Sequence, residues 1–359
     1  MEIRFFGHAC LKVYQADKSA ALMDPWFSLS GAFFGSWFQF PENTTLTDEA
    51  ISGVSDICIS HNHADHFDPP LLSRLLTENP SVRIHIPAYQ TRWFARLARG
   101  SLPACVSGQI IEHAPFQEFT IDDSDLRIFV VPEQSPGEVD SAIVAYDSST
   151  NVVNLNDARL AKDQLARIRS ILTDVDSLCL QGSGASEYPI CYTYPCSDMD
   201  ERCLQKRRDK LDDCKRTIDI LRPRRVVFFA GPPVFLDPAL AQFNDRSAKS
   251  VFPDQLDILL DLEHARPDIA AKSYFLLPGD KFDDAYLWKN TDLGSERLNP
   301  YTRKREYIDA YRERRREFWF SDFGELPESE RLVAYFERMP VLSEYISACI
   351  GGTITFLVK

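Results

Sequence analysis

Six consecutive residues, His61-Asn62-His63-Ala64-Asp65-His66, hold three of the seven histidines in this chain. The apolar, β-prone run Asp56-Ile57-Cys58-Ile59-Ser60 precedes them, and Phe67-Asp68-Pro69-Pro70 follows with the signature of a helix N-terminus. A strand that ends in a tight turn aims alternate side chains into one pocket. The spacing therefore predicts that His61 and His63 reach one metal ion, and that Asp65 and His66 reach a second beside it. Neutral imidazoles and carboxylates suit zinc, iron or manganese, with geometry and availability choosing among them. The bland alternative is a polar loop whose histidines only cap the helix. Against it, H-x-H-x-D-H is far more specific than a lone H-x-H.

The motif resembles that of the metallo-β-lactamase superfamily. What the resemblance implies is an α/β fold, an αββα sandwich with the metals at one edge of two sheets. A chain of 359 residues is long for one domain, although sandwiches reach such sizes with insertions. Residues 1–280 are expected to form the metal-binding domain, and 281–359 a C-terminal helical appendage packed on it.

The net charge of −13 argues against a general nucleic-acid binder. It leaves room for an anionic substrate held by the metals and a local basic patch. The 44% hydrophobic content is that of an ordinary globular protein. No apolar run approaches the roughly 20 residues that span a bilayer. The start, Met1-Glu2-Ile3-Arg4-Phe5-Phe6, lacks the pattern of a signal peptide. Nine cysteines are then most simply free thiols in a reducing cytoplasm, the expected location. The sequence contains no internal repeat and no low-complexity linker.

Residues 2–6, 10–14 and 19–23 read as strands, with His8 in the first turn and Asp24-Pro25 after the third. This pairing resembles the lactonase-like branch of the superfamily, where such residues lie under or beside the metals. Asp24 is placed to orient a ligand histidine, or only to make the turn before Pro25. The stretch 26–40 carries Trp26, Phe27, Phe33, Phe34, Trp37, Phe38 and Phe40. Either Trp26 and Trp37 line a substrate pocket, or the stretch is a hydrophobic cluster or oligomer contact; the two readings are even. Helices follow at 69–78 and 88–99, and a strand at 82–86 carries a structural His85. Further strands lie near 108–112, 117–121 and 126–131, the last ending Val130-Val131-Pro132-Glu133. Hydrolytic branches of the superfamily end this strand with a metal-binding histidine. His113 is out of register, so Glu133 stands in that place, as a ligand or as a neighbour of one. A carboxylate there hardens the site and shifts it towards iron or manganese. Oxygen-activating members of the superfamily carry such a carboxylate. Asp157 ends the strand Val152-Val153-Asn154-Leu155-Asn156, where the superfamily places an aspartate bridging both metals.

From there the chain is similar to the cytidine-monophosphate-N-acetylneuraminate hydroxylase family and its bacterial relatives. The similar stretches are Asp140-Ser141-Ala142-Ile143-Val144, Gln181-Gly182-Ser183-Gly184-Ala185-Ser186-Glu187-Tyr188-Pro189, the basic helix around 204–221, Arg224-Arg225-Val226-Val227-Phe228-Phe229-Ala230-Gly231-Pro232-Pro233 and Leu277-Pro278-Gly279-Asp280. Ser183, Ser186 and Tyr188 are candidate substrate contacts, or members of a plain strand-to-helix turn. Two departures stand out. That family carries a Rieske iron–sulfur domain, and no Cys-x-His…Cys-x-x-His pattern occurs here. The hydrolytic branches also place a last metal histidine after the strand at 225–230, where this chain has Gly231-Pro232-Pro233. His264, on a helix, reads as structural, and Cys191, Cys196, Cys203 and Cys214 read as free thiols. A helix at 301–319 presents a basic face, by default solvated, and 352–358 reads as a last strand.

The expected function is a dinuclear metalloenzyme with ligands His61, His63, Asp65, His66, Glu133 and Asp157, supported by His8 and Asp24. Asp65 and Asp157 are the catalytic candidates. Two divalent ions are expected, with iron favoured and zinc or manganese open. The balance tips to an O₂-dependent hydroxylase acting on a small polar or anionic substrate. It would take electrons from a separate donor protein or a reducing cosubstrate. The alternative is a hydrolase of a lactone, amide or phosphoester. A homo-oligomer is compatible with either.

Overall fold

Two sheets are built on one plan, an antiparallel meander that turns into parallel strands with helical crossovers. The computed structural model describes residues 1–33, 35–103, 108–135, 139–183, 195–238, 240–245, 251–283 and 285–316. Among these, the first sheet has six strands that neighbour each other in chain order: β1 (Glu2–Gly7), β2 (Cys10–Tyr14), β3 (Ala20–Met23), β4 (Val54–Cys58), β5 (Arg83–Pro87) and β6 (Ile110–His113). The strands β1 to β3 pair antiparallel and β3 to β6 run parallel. The second sheet has eight: β7 (Phe119–Thr120), β8 (Arg127–Pro132), β9 (Ser141–Tyr146), β10 (Asn151–Asn154), β11 (Ser177–Gln181), β12 (Arg225–Phe229), β13 (Ser273–Phe275) and β14 (Tyr286–Leu287). It is antiparallel from β7 to β10, parallel from β10 to β13, and antiparallel again at β14.

Parallel neighbours need crossovers, and helices supply them. In the first sheet these are α1 (Thr47–Ile51), α2 (Pro69–Glu78) and α3 (Trp93–Ser101). In the second they are α4 (Lys162–Leu172), α5 (Cys196–Leu221), α6 (Gln255–Ala265) and α7 (Pro267–Ala270). Side chains alternate across each strand, which sorts the apolar residues into three layers. Between the sheets lie Cys58, Ile128, Val130, Ile143, Cys179 and Val227. On the outer face of the first sheet, Leu22, Ile57 and Ile84 meet Leu72, Leu75 and Phe94 of α2 and α3. On the outer face of the second, Phe129, Val144, Leu178 and Phe228 meet Leu165, Ile218 and Leu259 of α4, α5 and α6. Strands such as β8 are buried on both faces, which is why Ile128-Phe129-Val130-Val131 is continuously apolar. This is the αββα sandwich that the resemblance implied.

The C-terminal helices differ from the single helix expected at 301–319. They are α8 (Asn299–Thr302) and α9 (Lys304–Arg314), broken at Arg303, whose φ is −119°. Tyr301, Ile308 and Tyr311 join the outer core of the second sheet. The basic face is not simply solvated: Arg314 and Arg315 pair with Glu42, and Arg312 Nε donates to the Leu236 carbonyl at 2.7 Å. Trp319 and the strand expected at 352–358 lie outside the described residues, as does Phe34.

Gly182 follows β11 where the chain passes beneath α6. A Cβ at this position would overlap Ile258 Cδ1 and lie 3.0 Å from Phe228 Cδ1. Gly182→Ala is therefore expected to destabilise the fold by about 1–3 kcal/mol, the usual cost of overpacking a dense core. A lowered urea midpoint, partly recovered by adding Ile258→Val, is the outcome to look for. An unchanged midpoint would show that the site has room.

Candidate metal centre

The C-terminal ends of the parallel strands of both sheets open onto one edge, the usual place for a site in sheets of this kind. From the first sheet the chain leaves β4 and runs directly through 59–66. His61, Asp65 and His66 are buried there and His63 is half-buried. From the second sheet, Asp157 arrives three residues after β10. The structure brings these side chains into two groups. His61, His63 and Asp157 form one, and His8, Asp65 and His66 the other, with the ligand atoms in each within 4.8 Å of one another. The groups adjoin: His66 Nε2 lies 3.6 Å from Asp157 Oδ1, and the rings of His61 and His66 are 4.1 Å apart. His8 points Nε2 at Asp65 Oδ2 across 3.1 Å, so it stands within the second group.

Asp24, at the end of β3, organises this arrangement. Its Oδ1 accepts the Ser60 backbone N–H at 2.7 Å, and its Oδ2 accepts the Ser60 hydroxyl at 2.7 Å. The same Oδ2 faces His66 Nδ1 at 3.1 Å, while Ser60 Oγ faces His61 Nδ1 at 2.8 Å. Because the Ser60 hydroxyl donates to Asp24, it accepts from His61. Both histidines are then Nδ1–H tautomers, with their Nε2 lone pairs turned into the site. Asp68 plays the matching part at the far end of the motif. It caps α2 through the Leu71 N–H at 3.2 Å, and it takes the N–H groups of Phe27 and Ser28 at 3.1 and 2.9 Å.

Three buried polar atoms here have no hydrogen-bond partner among the described residues: Asp65 Oδ1, His66 Nε2 and Asp140 Oδ1. An unsatisfied buried polar atom costs about 1–3 kcal/mol. Their convergence with the His61 and His63 nitrogens fits divalent cations held by imidazole and carboxylate. The electrostatics agree. Burial, and then the neighbouring His66 and His63, push His61 well below its ordinary value, so it is a neutral donor. Burial alone would lower His66, but Asp157 and Asp65 outweigh it and hold the ring well above its ordinary value, so without a cation the site favours a proton on Nε2, which a metal would displace. Burial would raise Asp157, but His66 outweighs it and holds the carboxyl well below the usual range. Burial, then Asp157 and Glu133, push Asp140 up to about 7.

Asp140 was not foreseen as a site residue. Its Oδ1 is 3.5 Å from His61 Nε2. Glu133 lies outside both groups, and its Oε2 accepts the Arg159 backbone N–H at 3.3 Å. The two carboxylates belong to one hairpin, since the Glu133 N–H donates to the Asp140 carbonyl at 2.9 Å. Strand register was the signal that could have revealed Asp140. Two further residues were also missed. Gln181 Nε2 donates to Asp157 Oδ1 at 2.6 Å, and Lys210 Nζ donates to Gln181 Oε1 at 2.7 Å.

The aromatic stretch divides. Trp26 is fully buried with its ring edge-on to His8 at 4.9 Å, so it supports His8 and offers no surface to a substrate. Phe27, Phe38 and Phe40 are core residues. Trp37 is half-buried against Phe33 at 4.8 Å, and Phe33 lies 6.2 Å from the His63 ring. Ser183 is buried, with its hydroxyl unpartnered among the described residues. Ser186 and Tyr188 lie outside the described residues, as does Cys191. Cys203 and Cys214 are buried free thiols. His264 is exposed on α6, away from the site, and His85 and His113 form a separate buried chain with Asp56. No helix among the described residues is long and apolar enough to cross a membrane. Asp24→Asn removes the acceptor that orients His66 and Ser60. It is expected to weaken metal binding about 10–100-fold in a chelator competition, as such outer contacts usually do. Unchanged affinity would show that the motif orients itself.

None of the protein-family models compared matches the chain. Over 368 residues it is 30% identical to a protein named as a Rieske 2Fe-2S iron-sulfur protein in Mycolicibacterium smegmatis, covering 98% of this chain and 68% of that one. A protein of the same description in Mycobacterium tuberculosis is 29% identical over 377 residues, covering 100% of this chain and 70% of that one. The cytidine monophosphate-N-acetylneuraminic acid hydroxylase of Pan troglodytes is 24% identical over 263 residues, which is 72% of this chain and 43% of the hydroxylase. Among solved structures, CmlA, a diiron β-hydroxylase from Streptomyces venezuelae, shares the fold with a TM-score of 0.51 at 13% identity, over 78% of this chain and 53% of CmlA. With the sandwich and its motif in place, the chain belongs to the metallo-β-lactamase-fold family that contains these mycobacterial proteins and shares homology with the hydroxylase.

Proposed function

We propose that this protein is an O₂-dependent, iron-using hydroxylase of a small polar or anionic substrate. The observation that carries this reading is the carboxylate content of the site. Asp65, Asp157 and Asp140 converge on the histidines, with Glu133 beside Asp140. Oxygen donors in that proportion suit iron or manganese better than a zinc site built on histidines. The names of the relatives, a diiron hydroxylase and a nucleotide-sugar hydroxylase among them, point the same way.

In this reading His61 and His63 hold one ion, Asp65, His66 and His8 the other, and Asp157 lies between them. Two irons bound there would supply the activation of dioxygen. Asp24 keeps the His66 proton on Nδ1, and through Ser60 it does the same for His61, so that neither ring turns away. Asp65 Oδ1 and Asp140 Oδ1 are the buried carboxylate atoms placed to hold a proton beside the ions. Phe33, backed by Trp37, stands beside His63 and would meet a substrate there. Electrons would come from an external source, and the mycobacterial relatives' description suggests a donor of the Rieske class. The Cys and His pairs of such a cluster do not occur in this sequence.

Metal analysis of anaerobically purified protein, followed by spectra after oxygen is admitted, tests the proposal. About two irons per chain and an oxygen-dependent spectral change are expected for a dinuclear centre of this kind. Tightly bound zinc with no response to oxygen would overturn it in favour of a hydrolase. Within the same reading, Glu133→Gln and Asp140→Asn are each expected to weaken iron retention by about tenfold or more if both carboxylates serve the His61 ion. Full retention in either variant removes that residue from the ligand set.

A further inference from the structure

We propose that Lys210 and Gln181 are positioning residues that fix Asp157 between the two metal sites. The inference rests on the two-metal reading above and deepens it. Gln181 is the last residue of β11 and is buried. Its side-chain amide has one workable orientation. Nε2 lies 2.6 Å from Asp157 Oδ1 and 3.0 Å from the Ala230 carbonyl, both acceptors, and Oε1 lies 2.7 Å from Lys210 Nζ, a donor. A flipped amide would set oxygen against two acceptors and an NH₂ group against an ammonium. The ammonium therefore dictates which end of the amide meets Asp157.

The hold on Gln181 is also redundant at the backbone. Lys210 and Cys214 stand four residues apart on α5, hence on one face. Lys210 takes the Gln181 side chain, and the Cys214 thiol donates to the Gln181 carbonyl at 3.3 Å. The Gln181 N–H reaches the Asn156 carbonyl at 3.3 Å, one residue before Asp157. Side chain and backbone of one residue thus grip the loop that carries the shared carboxylate. A carboxylate oxygen has two lone pairs. With one of those on Oδ1 taken by Gln181, the other and Oδ2 would remain free to hold cations. Burying a lysine near an amide is costly unless its charge is answered. Burial does push Lys210 below its ordinary value, and Cys214, Asp157 and Asp140 work against that shift, the two carboxylates at one remove.

The test uses the full chain stripped of metal and titrated anaerobically with Co²⁺, read by stoichiometry, competition affinity and d–d absorption bands. Lys210→Met and Gln181→Met keep side-chain volume and remove the polar contacts. Each is expected to weaken the second Co²⁺ about tenfold or more and to shift its bands, while the first binds as before. Lys210→Arg should restore part of the affinity. If the relay acts as one unit, Lys210→Met/Gln181→Met will be no weaker than Gln181→Met alone. The double variant removes both ends of the Lys210–Gln181 contact and leaves no ammonium facing a methionine, so it serves if Gln181→Met alone fails to fold. Additive losses, or bands and affinities unchanged in all variants, would overturn the relay. Wild-type protein that binds no Co²⁺, or an Asp157→Asn variant that binds it normally, would instead overturn the two-metal reading on which the relay rests.

Discussion

A single buried carboxylate, Asp24, sets the orientation of the histidines on which the site depends. It is fully buried, and every hydrogen bond described for its side chain comes from Ser60 or His66. Removed from water, a carboxylate must be answered by donors, and Asp24 has three. The dependence runs both ways. Without Asp24, His66 and Ser60 lose the acceptor that selects their orientation. Without those donors, Asp24 is an unanswered charge in the core. Asp68 does the same at the motif's other end, holding α2 and the start of the aromatic stretch together. Two aspartates therefore bracket the six-residue turn, which explains how a loop can be as fixed as the strands beside it.

The surrounding loops are held under strain. His8, Asp24, Asn156 and Ala230 all have φ between 39° and 54°, and each lies at or just beyond the end of a strand leading to the site. For residues other than glycine this left-handed conformation is costly, on the order of 1 kcal/mol or more each, and it persists only where the surroundings impose it. Here they do. The Ala230 N–H donates to the His8 carbonyl at 2.9 Å, and the Ala230 carbonyl accepts from Gln181. The hydroxyl of Tyr89 lies within 3.0 Å of the Ser60 carbonyl and 2.9 Å of Ser141 Oγ, tying the motif to β9 of the other sheet. The two sheets are thus laced together at the edge where the charges gather.

Much of this was legible in the sequence, for physical reasons that differ by element. The turn after β4 and the start of α2 at Pro69 could be read because histidine spacing and an Asp-Pro cap are local signals. The doubly buried strands could be read because nothing polar survives on them. Asp140, Gln181 and Lys210 could not, because their roles exist only through partners 24 to 79 residues away in the chain, and a lone Asp, Gln or Lys carries no periodicity. The aromatic stretch was ambiguous for another reason. Trp26 and Trp37 are alike in sequence, and only the fold separates the fully buried support of His8 from the half-buried ring packed on Phe33. The helix expected at 301–319 is broken at Arg303, and a basic helical pattern says nothing about the pairs that Arg314 and Arg315 make with Glu42.

The charges explain why these unforeseen residues belong together. Asp157 and Asp140 act on each other strongly enough that Asp140 is pushed up, after burial, by its neighbour. Two unit charges about 4 Å apart interact by about 4 kcal/mol at an effective dielectric constant of 20. His66 relieves this crowding only as a protonated ring, which has no lone pair for a metal. Cations from outside the histidine set are required, and the protein supplies one of its own in Lys210. That ammonium meets Gln181 rather than Asp157, so it lowers the cost of the carboxylate without occupying its oxygens. An arginine or lysine paired directly with Asp157 would neutralise it more fully and would compete with the metals for the same lone pairs. An amide placed between the two keeps the positive charge near and the metal-facing oxygens open. This is a physical reason for a glutamine at the end of β11.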